Sequence, residues 1–449
     1  MPGLYKITTF GCQMNRSDSE RLKQILDSSG LSETEDDIQA DVLVYNTCSV
    51  RQTAEDRVYG IHRTLAELKE QSPKKIIVVT GCMAGRDLDG KIKERLSAVD
   101  LFFKTDEMIH LPRWISELNQ ELIDPNAAQE FSEYDHYLKI KPSYHHTFQA
   151  YIAISNGCNK FCTYCVVPYS RGRQKDRPAQ DVISEVRERA AHGCVEITIL
   201  GQTVNLYNPP DKETTFSKDN PFSYEKNCFG ALMWELNQIP GIRRIHFTAP
   251  HPQYMDDETI AALSLPNHLN FLHLPVQSGS NEVLKRMNRT YTREKYIETI
   301  QQVREACPDI AIGTDIILGF CGETETQFEE TLDLYRTCDF DIAYIAMYST
   351  RSGTSAAKIF KDDIPRLEKK RRWQTVQSLM EETVIRKNQK YKNTVVSVLV
   401  DSWKKGKCEG NSREMKRVSF PGEKDMIGRI SNIHITHPLE WMLHGDAVT

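Results

Sequence analysis

The sequence predicts an α/β protein in three parts: a Rossmann-like parallel-sheet unit over 3–122, a partial (β/α)6 barrel over 144–375 and a small antiparallel β-barrel over 385–449. Three observations predict it. Short apolar runs alternate with amphipathic stretches in two successive blocks, the pattern of parallel strands joined by crossover helices. A long basic helical stretch then ends the alternation. Beyond it, Gly406, Gly410, Gly422, Gly428 and Gly445 punctuate short strand-like segments, the rhythm of a small barrel. A chain of 449 residues has room for several such units and a sizeable core.

In the first block Leu4–Phe10 reads as a strand. Ser17–Ser29 reads as a helix, with Ser17 as N-cap, Glu20 three residues on and Gly30 at its end. Val42–Tyr45 and Ile76–Thr80 read as further strands, with a helical stretch over Ala54–Lys69 between them. The stretch Ile123 to His146 has little periodicity and reads as a linker. In the second block the expected strands are Ala150–Ile154, Glu196–Leu200, Arg244–Phe247, Phe271–Leu274, Ile312–Leu318 and Ala343–Tyr348. Helical patterns separate most of them, such as Ala179–Ala191 before Gly193 and Thr292–Ala306 before Pro308. A basic helix over Pro365–Tyr391 leads into the last block, where Thr394–Val400 alternates as a strand. The sequence shows no internal repeat, coiled coil or low-complexity tract.

Hydrophobic content of 39% and charged content of 27% are those of an ordinary globular protein. No apolar run approaches the ~18 residues of a membrane span, and Met1 to Phe10 lacks the features of a signal peptide. A cytoplasmic protein without a membrane partner is expected. There, twelve cysteines point to metal binding or catalysis rather than disulfides. Charge is uneven. From Ile364 to Thr449 there are 17 Lys and Arg against 10 Asp and Glu, leaving 40 against 52 before it. A basic tail on an acidic body suits a nucleic-acid-facing end, although a basic stretch is also an ordinary solvated face.

Cys158, Cys162 and Cys165 form a CxxxCxxC run opened by Gly157. Three thiolates without a fourth nearby are what an iron–sulfur cluster with one open iron requires, whereas closed zinc and ferredoxin sites use four. The open iron can take a small molecule through an amine and a carboxylate, and S-adenosylmethionine has both. Zinc with a distant fourth ligand, or a loop without metal, also fits the spacing. Cys12, Cys48 and Cys82 each follow one of the first three expected strands within four residues. In a parallel sheet those strand ends share one edge, so the three would converge into a second trio; independent buried cysteines are the other reading. Cys194, Cys228, Cys307, Cys338 and Cys408 lack partners at ligand spacing. His145, His146 and His251 form no convincing metal pair, and no paired carboxylates or Ser/His/Asp set stands out.

These blocks resemble the methylthiotransferases, a branch of the radical S-adenosylmethionine enzymes, over nearly the whole chain. The resemblance is carried by Gly11-Cys12-Gln13-Met14-Asn15, Asn46-Thr47-Cys48-Ser49-Val50-Arg51, Gly81-Cys82-Met83-Ala84 and the triplet followed by Val166 to Arg173. Leu274 to Ser280, Arg286 to Tyr291 and Thr314 to Phe320 carry it further, and the last block is similar to the TRAM domain, an RNA-binding barrel. Gln13-Met14-Asn15 and Val167 to Arg173 look like the MiaB type, which methylthiolates C2 of N6-isopentenyladenosine beside the tRNA anticodon. The MtaB type, acting on threonylcarbamoyladenosine, and the RimO type, acting on a ribosomal-protein aspartate, usually carry other residues after the first cysteine. Cys321, Thr203 and Lys104 depart from the usual family residues.

The resemblance implies two 4Fe-4S clusters, one on each trio, and two molecules of S-adenosylmethionine per turnover. One molecule would be cleaved to a 5′-deoxyadenosyl radical, suited to an unactivated C2–H; the other would methylate the sulfur delivered by the first-block cluster. Phe161 and Tyr164 would flank the cofactor's adenine, unless they are ordinary core aromatics. Gln202, Asn205, Gln277 and Ser278 would contact its methionyl or ribose parts, with Asp315 and Arg289 as further contacts; turn-capping roles are the alternative. Arg366, Lys369, Lys370, Arg371 and Arg372 would neutralise phosphates beside the small barrel. Expected partners are a tRNA anticodon stem-loop, a flavodoxin- or ferredoxin-type electron donor and sulfur or cluster delivery proteins, for a monomeric enzyme. The reading of another class is an RNA-binding protein whose cysteines are structural.

Overall fold

The computed structural model describes residues 3–49, 52–123, 131, 134 and 136–448. Val50 and Arg51 of the second cysteine motif, and 124–130, 132, 133 and 135 of the expected linker, lie outside the described residues.

In the first unit β1 (Leu4–Phe10), β2 (Ser32–Glu33), β3 (Val42–Thr47), β4 (Ile76–Gly81) and β5 (Leu101–Phe103) form a sheet in the order β2-β1-β3-β4-β5. Every pair is parallel. The apolar runs of β3 and β4 are buried on both faces, as parallel sheets require. Val42, Val44, Ile76 and Val78 pack under α1 (Gln13–Ser28). The alternate residues Leu43, Tyr45, Ile77 and Val79 pack under α2 (Gln52–Gln71). The turns α3 (Cys82–Gly85) and α4 (Lys91–Glu94) and the helix α5 (Leu111–Leu118) complete the unit.

α1 begins four residues before the expected Ser17 cap. Cys12 occupies the N-cap and Asn15 closes the capping box, so the helix starts directly off the strand-end turn. Ser17 is instead buried inside the helix, accepting from Arg21 Nη1 at 2.7 Å. The expected linker is partly core. Tyr137, Leu138 and Ile140 are buried against the first unit together with Ala153 and Leu200 of the second. Isolated apolar residues on irregular backbone leave no period to read.

The second unit is an open barrel of two three-stranded parallel sheets. β6 (Gln149–Ala153) precedes a short ribbon, β7 (Ser155–Asn156) with β8 (Lys175–Asp176), and then come β9 (Glu196–Leu200) and β10 (Arg244–Phe247). These give the order β10-β9-β6; β11 (Phe271–His273), β12 (Ala311–Leu318) and β13 (Ile342–Met347) give β11-β12-β13. A parallel bridge between Ile245 and His268 joins the halves. The turn α6 (Val167–Ser170) follows the cysteine triplet. Around the strands run α7 (Ala179–Ala191), α8 (Lys212–Thr215), α9 (Cys228–Asn237), α10 (Asp257–Ala262), α11 (Asn281–Arg286), α12 (Arg293–Ala306), α13 (Glu325–Cys338) and α14 (Ser355–Ile359). Ile312, Ile316, Leu318 and Ala343 face the helices, which leaves Gly313, Asp315 and Tyr344 on the inner face.

α15 (Arg366–Asn388) runs beside β13 from the C-terminal to the N-terminal strand ends. Its Lys369 Nζ donates to Tyr348 O at 3.0 Å, and Lys387 pairs with Asp341 at 3.0 Å. It leads into a closed barrel of β14 (Val395–Lys404), β15 (Lys407–Asn411), β16 (Arg417–Pro421), β17 (Ile430–Pro438) and β18 (Leu443–Ala447), ordered β14-β15-β16-β18-β17. All its pairs are antiparallel except β16 with β18. This barrel docks on the N-terminal strand ends of the second unit. Arg244 Nη2 donates to Ser412 O at 3.0 Å and Arg413 Nη2 to His268 O at 2.5 Å.

Candidate active site

The first trio is assembled by strand register. Phe10 lies opposite Thr47, and Thr47 opposite Gly81. Cys12, Cys48 and Cys82 therefore stand one or two residues beyond a single rung of the sheet. Cys48 and Cys82 are buried and Cys12 is exposed. Gly81 turns the chain at φ 97°, and a Cβ there would meet Thr47 O at 2.4 Å, so only glycine lets β4 end this close to β3. Two asparagines lock the loops. Asn15 Nδ2 donates to Asn46 Oδ1 at 3.0 Å and Asn46 Nδ2 to Asn15 O at 2.8 Å.

The Cys48 thiol lies between Cys12 and Cys82, close enough to share its one proton with either sulfur. That donation holds the Cys12 and Cys82 pKa values below the ordinary thiol range, and the cation of Arg171 lowers both further. Cys48 itself is pushed up, by those two sulfurs and by burial. A charged network brackets the trio. Arg86, four residues after Cys82, pairs with Glu55 at 2.7 Å and donates to Ser49, the neighbour of Cys48, at 2.9 Å.

The second trio lies past β7, on the C-terminal side of the barrel strands. Cys158 and Cys162 are buried, while Cys165 is half-buried. Two of the sulfurs have side-chain partners. Cys158 Sγ shares a hydrogen bond with Thr203 Oγ1 at 3.3 Å, and Arg289 Nη1 donates to Cys162 Sγ at 3.3 Å. Burial, and then the charge of Cys162, push Cys165 up to about 12. The turn 286–289 clasps the loop: Thr163 N donates to Met287 O at 3.0 Å and Asn288 Nδ2 to Phe161 O at 2.9 Å.

The other expected contacts divide. Arg289 touches the trio itself. Gln202 lies half-buried with its Oε1 unpartnered. Gln277 is buried at φ 75° and ties β11 to β12 through Asp315 O and Ile317 N. Phe161 is 42% exposed, and Tyr164 packs beside Val283, Met287 and Phe320. Asp315 accepts from His273 at 3.0 Å, and the His273 ring lies 5.4 Å from that of Tyr344.

Asn205 and Ser278 have partners within the chain. Asn205 donates to His251 O and Tyr254 O at 3.1 and 2.9 Å and accepts from His251 N at 2.8 Å, so its amide already holds the 251–254 turn. Ser278 is fully buried against Thr331 of α13.

Among the basic residues, Lys369 and Arg372 are turned inward. Lys369 pairs with Asp362 at 2.5 Å and Arg372 with Glu323 at 2.8 Å, both cations nearly fully buried. Neither reaches a phosphate outside. Arg371 is exposed but pairs with Glu325 and Glu368, while Arg366 and Lys370 are exposed. All five open α15 at its trio end, and its 23 residues span ~35 Å before the small barrel, so they do not lie beside that barrel. Arg171 and Asp18, which join the two sites, escaped sequence reasoning; only the place of Arg171 within a quoted motif pointed there.

Comparison with known proteins fits this geometry. Residues 152–335 match the model of the radical SAM superfamily, and residues 4–104 match the uncharacterized protein family UPF0004. The tRNA-2-methylthio-N(6)-dimethylallyladenosine synthase of Thermoanaerobacter sp. (strain X514) is 41% identical, covering 99% of this chain and 92% of that protein. The chain belongs to the tRNA-2-methylthio-N(6)-dimethylallyladenosine synthase family. Another member, from Clostridium botulinum (strain Okra / Type B1), is 37% identical over 99% of this chain and 97% of its own length. The fold is also similar to that of TsrM, a radical S-adenosylmethionine methyltransferase from Kitasatospora setae. That likeness has a TM-score of 0.56 at 14% identity, covering 80% of this chain and 77% of that one.

Members of the synthase family are radical SAM transferases of sulfur-containing groups, and so is this chain. That class implies a 4Fe-4S cluster and S-adenosylmethionine, and the donor sets suit a cluster: each trio offers thiols only, with an arginine donating to one sulfur of each. Among the described residues, no three His, Cys, Asp or Glu side chains stand as a ligand set for a single metal ion. Also among them, no helix is long and apolar enough to cross a membrane.

Proposed function

We propose that the chain methylthiolates C2 of N6-isopentenyladenosine beside the tRNA anticodon, using a 4Fe-4S cluster on each cysteine trio and two S-adenosylmethionine molecules per turnover. The observation that carries this reading is the pair of three-thiol sites, one past a parallel-sheet rung and one past a barrel strand, in a chain aligned end to end with relatives named for that product. With clusters and S-adenosylmethionine bound, the chemistry supplied is one-electron sulfonium cleavage, hydrogen abstraction from an unactivated carbon and delivery of a methylated sulfur.

The chain's own residues do the rest. Thr203 and Arg289 orient Cys158 and Cys162, as outer partners of ligating groups do. Burial keeps water away from the sulfurs of Cys48, Cys82, Cys158 and Cys162. Gln202 Oε1 is a free acceptor on the loop whose Thr203 touches Cys158. On the inner face, His273 with Asp315, and half-exposed Tyr344, offer a planar base both a stacking surface and hydrogen-bonding edges.

The tRNA anticodon stem-loop would run along α15, from Arg366 and Lys370 toward the small barrel. A flavodoxin- or ferredoxin-type electron donor and proteins delivering sulfur or clusters belong to the same reading, with the chain acting as a monomer. Nucleoside mass spectrometry of tRNA from a deletion strain tests it. The 2-methylthio nucleoside should vanish and isopentenyladenosine accumulate, with rescue by the intact gene and none by Cys162→Ala. An unchanged nucleoside profile would overturn it.

A further inference from the structure

Arg171 caps α6 just after the cysteine triplet, yet its side chain leaves the barrel and enters the first unit. Its guanidinium is buried and donates in three directions. Nε reaches Cys82 Sγ at 3.2 Å, Nη1 reaches Asn156 Oδ1 at 3.0 Å and Nη2 reaches Asp18 Oδ2 at 2.5 Å. The Arg171 and Asp18 side chains are 2% and 1% exposed. Asn156 holds both ends of the residue, because its Nδ2 also donates to Arg171 O at 3.4 Å. Two residues after Asn156 comes Cys158, first of the second trio.

The backbones meet where this side chain crosses. A Cβ on Gly85, at the end of the turn opened by Cys82, would lie 2.2 Å from Ser170 O. Glycine there lets α3 press against the end of α6 and brings Cys82 within reach of the next residue, Arg171.

A fully buried ion pair is a poor device for stability alone, since an apolar pair of similar volume holds an interface as well or better. What an arginine adds is a rigid planar fork of donors, which a lysine lacks. Here the fork fixes a sulfur of one trio, the entrance of the other trio and an acidic side chain of α1 in one plane. A donor hydrogen-bonded to a ligating thiolate also shifts the potential of the cluster it holds.

We propose that Arg171, anchored by Asp18, is a positioning residue that sets the first trio against the second and tunes the centre that Cys82 holds. This rests on the two-cluster reading above. Arg171 touches no substrate and acts through Cys82 and Asn156.

The test compares the anaerobically reconstituted full chain with its Arg171→Met and Arg171→Lys variants. Both variants should keep reductive cleavage of S-adenosylmethionine, which belongs to the second trio. The first-trio centre should change its electron paramagnetic resonance signature and become harder to reduce. Methylthiolated product should fall about 10- to 100-fold, the usual cost of losing an outer-shell partner. Lysine should not restore it. In the metal-free chains, hydrogen exchange should rise together in 82–86 and 155–158.

An unchanged signature, potential and product yield in either folded variant overturns the proposal. Failure of both variants to fold overturns it as well, by making Arg171 purely structural. If the wild-type chain shows only one centre, the two-cluster reading has failed. The exchange experiment then decides whether Arg171 couples the two loops, and unchanged exchange in either segment sinks the coupling.

Discussion

Buried ionisable side chains carry much of the design at the scale of single residues. His246 and His268, at the joint of the two half-barrels, are neutral imidazoles whose pKa values burial lowers to about 3 and about 4. Below the ordinary value of 6.5 the unfolded chain takes up protons that these buried rings do not, so stability is full above that pH and falls as pH drops toward 4. The slope should be on the order of 1 kcal/mol per pH unit for each ring. Urea midpoints across this range should show the fall, and His268→Gln should make it shallower by one ring's share; a flat wild-type profile contradicts the assignment. The convergence of Cys12, Cys48 and Cys82 was legible because residues just past neighbouring parallel strands share one edge of the sheet. Asp18 and Arg171 were not, since 153 residues separate them and no local pattern predicts a charge inside a core.

At the scale of elements, β3 and β4 followed from their apolar runs because parallel strands buried on both faces must be continuously apolar, whereas the two- and three-residue strands β2 and β5 were too short to read. β9 and β10 fall on their expected bounds, and Thr292 caps α12 through its side chain. The start of α1 was hidden because cysteine is not among the residues that usually mark an N-cap. The burial of Lys369 and Arg372 was hidden because a basic run reads as solvated until its acidic partners are known, and Glu323 lies 49 residues from Arg372. α15 therefore has two kinds of basic residue. Arg366→Glu with Lys370→Glu should leave thermal stability nearly unchanged and make the slope of log affinity for tRNA against log salt shallower by about 1–2. Arg372→Met should instead destabilise the fold by about 3 kcal/mol, because Glu323 is left buried without its cation. Thermal melts and salt-titrated binding read the two effects separately. Equal effects from both changes would refute the division.

At the scale of the whole molecule, the first unit and the open barrel meet where their strand-end loops carry the sulfurs, and the small barrel sits at the opposite strand ends. α15 spans the distance between them. Fold class and order of units were legible because two blocks alternate strand with helix and the last is a run of short strands punctuated by glycines. How the units pack was not, because Arg171 with Cys82 and Arg413 with His268 are contacts between residues 89 and 145 positions apart. The proposed reaction needs two separate iron–sulfur sites with separate work. Bound iron, measured in anaerobically reconstituted wild-type, Cys48→Ala and Cys162→Ala chains, tests this most directly. About eight irons in the wild type and about four in each variant are expected, with S-adenosylmethionine cleavage surviving only in Cys48→Ala. A wild type holding about four irons, or a Cys48→Ala chain holding the full complement, would contradict it.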